Sequence, residues 1–321
     1  MRVLPRVLTL ACIVLAMGSM AATPPQGPSP QAEITAWFCP MHPEVTAAEG
    51  GRCRKCGMAL VPGDPFDTRE YGLELATTPG AVKVGVPITM LFTVRHPGTN
   101  DLVKNFEVVH EKRYHLFVVS RDMEVFEHIH PEQRADGRWA IEVTLPRPGY
   151  YQLLSDFLPS GGSPQFIGRT VVTAGFSGDL ESQAAHLQPD TVFNKTVGSL
   201  NAFVQFEPSI LVAGQYGHLS FTLTDAVTRQ PVTDLQPYLG AFGHMLILSE
   251  DMQDYVHSHP FESPENDIAK ASGGPNVVFE GYMPRPGRYR AWSQFLRKGE
   301  LITVPFTINV SSLEDAVRGN Q

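Results

Sequence analysis

The chain is written twice. Residues 71–131 laid on 200–260, a shift of 129 with no gap, superpose Pro79 on Pro208, Gly85 on Gly214, Phe92-Thr93 on Phe221-Thr222 and Val103 on Val232. The match then becomes dense: His115, Ser120, Asp122, Met123, His128, His130 and Pro131 meet His244, Ser249, Asp251, Met252, His257, His259 and Pro260. The second copy carries nine extra residues around 262–276, after which the register resumes at a shift of 138. There Pro146-Arg147-Pro148-Gly149 meets Pro284-Arg285-Pro286-Gly287, Ser155 meets Ser293, and Phe157 meets Phe295. A repeat of this length is domain-sized, so each copy has to close its own core. Two homologous domains are expected at 64–174 and 192–311, with a linker at 175–191 between them and a tail at 312–321.

Each copy reads as mainly β. Alternating or β-branched runs recur at 88–94, 114–120, 125–130, 139–145, 150–156 and 165–173, punctuated by Gly, Pro and Asp. With 28 Gly and 27 Pro in 321 residues, a wholly helical chain is excluded. About seven strands in roughly 100 residues point to an immunoglobulin-like sandwich. The blocks PVTDLQPYLGAFGHMLILSED, HSHP and PRPGRYRAWSQF in the second copy resemble an exported β-sandwich family often found with heavy-metal-binding modules.

Ahead of the repeats, Cys39, Cys53 and Cys56 fall within 18 residues, in the order Cys-x2-His, ten residues, Cys-x2-Cys, with His42 as the imidazole. Two ligand pairs with two-residue spacers can each clamp one side of a tetrahedral ion. Three thiolates and an imidazole suit Zn²⁺ or Cu(I). A disulfide between any two of these cysteines would strand the third, and would leave the histidine at ligand spacing unexplained. Met41 and Met58 stand as extra thioether ligands for Cu(I) or as contacts in a tiny core. Residues 37–62, WFCPMHPEVTAAEGGRCRKCGMALVP, resemble the short heavy-metal-binding domain of copper-transporting P-type ATPases and of periplasmic adaptors of heavy-metal efflux pumps. The resemblance covers about 26 residues and implies metal handling. Neither parent function follows, because the chain has no long helical hairpin, no phosphorylation motif and no row of apolar spans. The module is assigned to 37–63.

The histidines of the repeats form a second candidate. If 114–120 and 125–130 make a hairpin with Ser120 opposite Val125, then His115 faces His130, and His128 points to the same side with Cβ atoms about 5 Å apart. The same construction joins His244, His259 and His257. Each trio is therefore a candidate site for Cu²⁺ or Zn²⁺, one per domain, with Met123 and Met252 in the turns as further soft ligands. The competing reading is that the HxHP segment is a shared structural turn. The 7 identities in the 17 positions 115–131, against 6 in the 44 before them, favour a site. His96, His110, His186 and His218 have no partner in the other copy and read as surface or core residues, while Asp156 aligns with Gln294, which argues against a shared carboxylate base.

Arg2 and Arg6 precede an apolar run ending at Met17 and the small residues Gly18, Ser19, Ala21 and Ala22, the order of a secretory signal peptide over 1–22. Cys12 sits inside that run, so a lipoprotein is the lesser alternative. A Pro/Gln-rich linker at 23–36 follows, and no second long apolar stretch occurs, so the mature chain is expected to lack a transmembrane segment. With 33 Asp+Glu against 25 Lys+Arg the chain has no electrostatic footprint for nucleic acid. It carries no GxSxG elbow, glycine-rich phosphate loop or HExxH, so an enzyme is not expected. The expectation is a periplasmic metal-binding protein in copper or other heavy-metal homeostasis or resistance, with an envelope efflux component as a candidate partner. The alternative is a periplasmic interaction scaffold whose module holds structural zinc.

Overall fold

The computed structural model describes residues 36–260 and 272–319. The expected signal peptide, the lipid-anchor alternative at Cys12, the 23–36 linker up to Ala36, and most of the insertion around 262–276 lie outside the described residues. None of the described helices is long and apolar enough to cross a membrane.

Both repeats fold as two antiparallel sheets over an apolar core. In the first, one sheet orders Gly72–Thr78, Ile88–Arg95, Trp139–Val143 and Glu132–Gln133, and the other orders Gln165–Val172, Tyr150–Phe157, Tyr114–Ser120 and Phe126–Ile129. In the second, Leu200–Glu207, Tyr216–Asp225 and Asn276–Tyr282 repeat the first sheet, with Asn194–Val197 added at its edge. Glu300–Val310, Gly287–Arg297, His244–Ser249 and Tyr255–Ser258 repeat the other, with Leu235–Gln236 pairing the end of Gly287–Arg297. Period-two burial drives each sandwich closed. Leu116 and Val118 join Phe92, Trp139 and Leu153 in one core, and Met245 and Ile247 join Phe221, Phe279 and Phe295 in the other.

The strands Tyr114–Ser120 and His244–Ser249 are buried along their whole length, so they are covered on both faces. Their second faces meet each other. Phe117, Val119, Leu154, Leu246, Leu248 and Trp292 form an apolar cluster between the repeats, in which Phe126 stacks on Trp292 at 4.7 Å and 7°. Ala185 and Leu187 are buried in the same cluster, so the 175–191 segment is a packed strap rather than a free spacer.

The turns that carry Met123 and Met252 are built alike. Ser120 Oγ donates to Asp122 Oδ1, the Met123 N–H donates to the Ser120 carbonyl, and Ser249, Asp251 and Met252 do the same. Both methionines take left-handed backbone, φ 59° and 62°, which L residues adopt at a cost. The turn aims their side chains into the inter-repeat cluster, where Met123 is buried and Met252 packs against it. The expected ligand role for these methionines is replaced by packing. The 312–321 tail contains a short helix, Leu313–Gly319, capped where Ser312 Oγ accepts from the Asp315 N–H.

Candidate metal centres

The cysteine module is a three-stranded sheet, Thr46–Ala47, Ala36–Phe38 and Val61–Gly63, with two ligand-bearing turns at its end. In the first turn the His42 N–H donates to the Cys39 carbonyl and the Val45 N–H to the His42 carbonyl. In the second, Gly57 at φ 75° lets its N–H reach the Cys53 carbonyl while the Cys53 N–H donates to the Met58 carbonyl. The turns bring Cys39 Sγ to 3.6 Å from Cys56 Sγ and 3.7 Å from His42 Nδ1, and Cys53 Sγ to 3.6 Å from His42 Nδ1. Donor atoms about 3.5–3.8 Å apart are the edges of a tetrahedron with metal–ligand spokes of about 2.1–2.3 Å. All four donors lie within 4.8 Å of one another, and the three cysteines are free thiols. The hydrogen bond from the Cys39 thiol holds Cys56 well below the usual thiol range, at about 4, against the opposing effect of burial. The same hydrogen bond, with burial, pushes Cys39 up.

The module has little core of its own. Cys39, Val45, Cys53 and Leu60 form its own apolar cluster, with Met41 and Met58 partly buried against them. It docks on the first repeat through Phe38 and Val61, which pack on Leu158. At Gly63 the approach is so close that a Cβ would lie 2.4 Å from the Gly162 carbonyl oxygen. Toward the second repeat, His42 Nε2 stands 3.8 Å from Glu280 Oε1 and Met41 Sδ lies 3.2 Å from His259 Nδ1.

The hairpins form in the expected register: Phe117 pairs with His128 and Leu116 with Ile129, Leu246 with His257 and Met245 with Ser258. His115 and His128 therefore share a face, as do His244 and His257. Those faces are the ones that meet between the repeats, and this corrects the expectation of one independent site per domain. His115 and His128 of the first repeat group with His257 of the second, while His244, His257 and His259 form an overlapping group, the donor atoms of each group lying within 4.8 Å of one another. His130 adjoins both His115 and His128, at 5.0 and 4.8 Å between ring centroids.

Two residues set aside in the sequence belong to this centre. His110 stacks on His259 at 3.2 Å between ring centroids. It sits at φ 49° in a turn whose counterpart in the second copy holds Leu239 at φ 52°, so a comparison of the copies gave no signal for it. Asp156 accepts a 2.7 Å hydrogen bond from His257 Nδ1, and its counterpart Gln294 accepts one of 2.9 Å from His128 Nδ1 through Oε1. Each repeat thus fixes a histidine of the other. The readable signal was a polar residue at the same place in both copies, Asp156 and Gln294, just before the matching Phe157 and Phe295.

Burial holds these imidazoles neutral. Desolvation, aided by neighbouring rings, lowers His115 to about 4 and His130 to about 3, and drives His110, His128, His244 and His259 far below the usual imidazole range. A cavity of about 330 Å³ reaches the cluster, lined by Met41, His110, His115, Asp156, His257 and His259 together with Lys112 and Arg113.

Comparison with known families places these features. The model described as Heavy metal binding domain matches residues 36–62, and the model described as Domain of unknown function (DUF8832) matches 67–174 and again 195–312. No curated protein matches the chain. Among solved structures it is similar to the Yersinia pseudotuberculosis adhesin InvE, at 12% identity and TM-score 0.21, over 75% of this chain and 60% of that one. InvD of the same organism aligns at 11% identity and TM-score 0.23, over 75% and 57%. A membrane anchored protein from Corynebacterium diphtheriae aligns at 9% and 0.22, over 76% and 57%. The chain spans about 60% of the length of these structures or less.

Proposed function

Since the chain belongs to the family described as Domain of unknown function (DUF8832), here preceded by a heavy metal binding domain, we propose that it captures a heavy-metal ion in the bacterial envelope and serves copper or related metal homeostasis. The observation that carries this reading is the convergence of Cys39, Cys53, Cys56 and His42 within 4.8 Å. Three sulfurs favour Cu(I) or Zn²⁺ over harder ions. The signal-like order of residues 1–22 supports export to the periplasm. In this role the protein binds and releases an ion without chemical turnover, and an efflux component of the envelope is its expected partner.

Metal analysis of the purified full chain, followed by competition with a chromogenic Cu(I) chelator, tests the reading. One Cu(I) that exchanges with the chelator and is lost in the C53S/C56S variant supports it. A single inert Zn²⁺ that Cu(I) does not displace would make the module a structural clasp on an interaction scaffold.

A further inference from the structure

The hydrogen bonds around the inter-repeat histidines fix which ring nitrogens carry protons, and the remaining lone pairs face one another. His115 Nε2 donates to the Val109 carbonyl at 2.9 Å, which leaves Nδ1 as an acceptor. His128 Nδ1 is bound to Gln294 Oε1, whose amide nitrogen is itself committed to Thr303 Oγ1 at 3.1 Å, so Nε2 of His128 is the acceptor. His257 Nδ1 donates to Asp156, leaving Nε2. His244 Nε2 donates to the Tyr238 carbonyl at 2.8 Å, leaving Nδ1. A carbonyl, amide or carboxylate that takes the outer proton of a ligand histidine is the usual outer shell of a metal site.

The acceptors have no donors to meet. His115 Nδ1 and His128 Nε2 stand 3.1 Å apart with both protons engaged elsewhere. Two lone pairs that close repel unless a cation lies between them, and a tetrahedral ion with nitrogen ligands at about 2.0–2.1 Å sets its ligands about 3.3 Å apart. His244 Nδ1, His257 Nε2 and His259 Nε2 are buried with no hydrogen-bond partner among the described residues. Native proteins rarely leave such groups unpaired without a ligand or water. The cavity described above gives an ion a way in.

We propose that the interface between the repeats is one metal centre holding a single borderline first-row cation, shared between two overlapping triads that pivot on His257. His115 and His128 complete one triad, and His244 and His259 complete the other. The sharing follows from the proton count. With Nδ1 tied to Asp156, His257 has one lone pair to offer, so the two triads cannot both be filled. Asp156 is the one carboxylate among the hydrogen-bond partners of these rings, and it serves the pivot. Three neutral nitrogens without sulfur suit Zn²⁺, Co²⁺ or Cu²⁺. The centre stands whether or not the cysteine module handles metal.

The test uses the full chain with C39S, C53S and C56S, which removes the thiol ligands, titrated with Co²⁺ and followed by its visible absorption. One equivalent is expected, with tetrahedral d–d bands and no sulfur-to-cobalt charge transfer. Adding His257→Gln should abolish binding. His128→Gln or His244→Gln alone should leave one weakened equivalent, because the other triad remains, whereas the two together should abolish it. Asp156→Asn should weaken binding about 10- to 100-fold. Circular dichroism identifies a variant that fails to fold, and the Asp156→Asn and single-triad variants then decide the outcome. No Co²⁺ bound by the folded C39S/C53S/C56S chain, two equivalents bound, or full binding by folded His257→Gln would each overturn the proposal.

Discussion

The cysteine module and the histidine interface solve the same coordination problem by opposite means. The module draws its donors from residues 39–56, and two of them, Cys39 and Cys53, share its small buried cluster with Val45 and Leu60. The interface draws donors from strands more than a hundred residues apart and sets them beside a packed aromatic cluster. A local site with so small a core depends on its ion for order, while a site held by two sandwiches is shaped in advance. The repeats supply rigidity that a short loop pair cannot.

The comparison is broken most directly by taking metal away. Chelation, or the C53S/C56S substitution, removes a binding term on the order of 10 kcal/mol from the module. Amide exchange should become fast across residues 39–60 while the strands Tyr114–Ser120 and His244–Ser249 stay protected. Loss of protection in those strands would show that the module holds the repeats together.

A smaller effect is expected from Trp292→Ala, which deletes a 4% exposed ring stacked on Phe126 between the repeats. It should cost about 3–5 kcal/mol in denaturant unfolding. The module's metal stoichiometry should not change.

Acidification weakens the histidine interface. His115 and His130 titrate near 4 and 3 when folded and about 6.5 when unfolded, so below pH 6.5 the unfolded chain binds more protons. Their contribution is complete above pH 6.5 and is lost as pH falls toward 4. In chelator the melting temperature should therefore drop between pH 7 and 5, and the quadruple variant H115Q/H128Q/H244Q/H259Q should flatten that slope.

The smallest effect belongs to the exposed clasp on the module, where Lys55 Nζ meets Glu44 at 2.6 Å with both side chains roughly half exposed. Lys55→Met should change metal affinity less than about fivefold, read by chelator competition.

Much of this was legible because the chain repeats itself. The duplication, the alternating strands and the hairpin register that puts His115 and His128 on one face follow from spacing alone, as does the Cys-x2-His and Cys-x2-Cys arrangement. The dense block of identities misled in one respect. Ser120, Asp122 and Met123 recur because they build a turn that aims methionine into the interface, whereas His115, His128 and His130 recur at the histidine cluster. Sequence identity does not separate these causes. The docking of one repeat on the other was hidden because a strand such as HLFVVS reads as apolar whether it is covered on one face or two. His110 was hidden because its counterpart is Leu239, and Asp156 because its role is paid out to the other copy.

The crosswise bonds from His128 to Gln294 and from His257 to Asp156 bear on why both halves are on one chain. Two identical subunits meeting about a twofold axis would have to place the same residue at both positions. Two carboxylates would leave an excess negative charge in a closed space, and two amides would leave none to balance a cation. Covalent fusion releases the halves from that symmetry, so that one can carry the anion while the other stays neutral. The asymmetry of a single position thus gives an otherwise mirrored centre a preferred side.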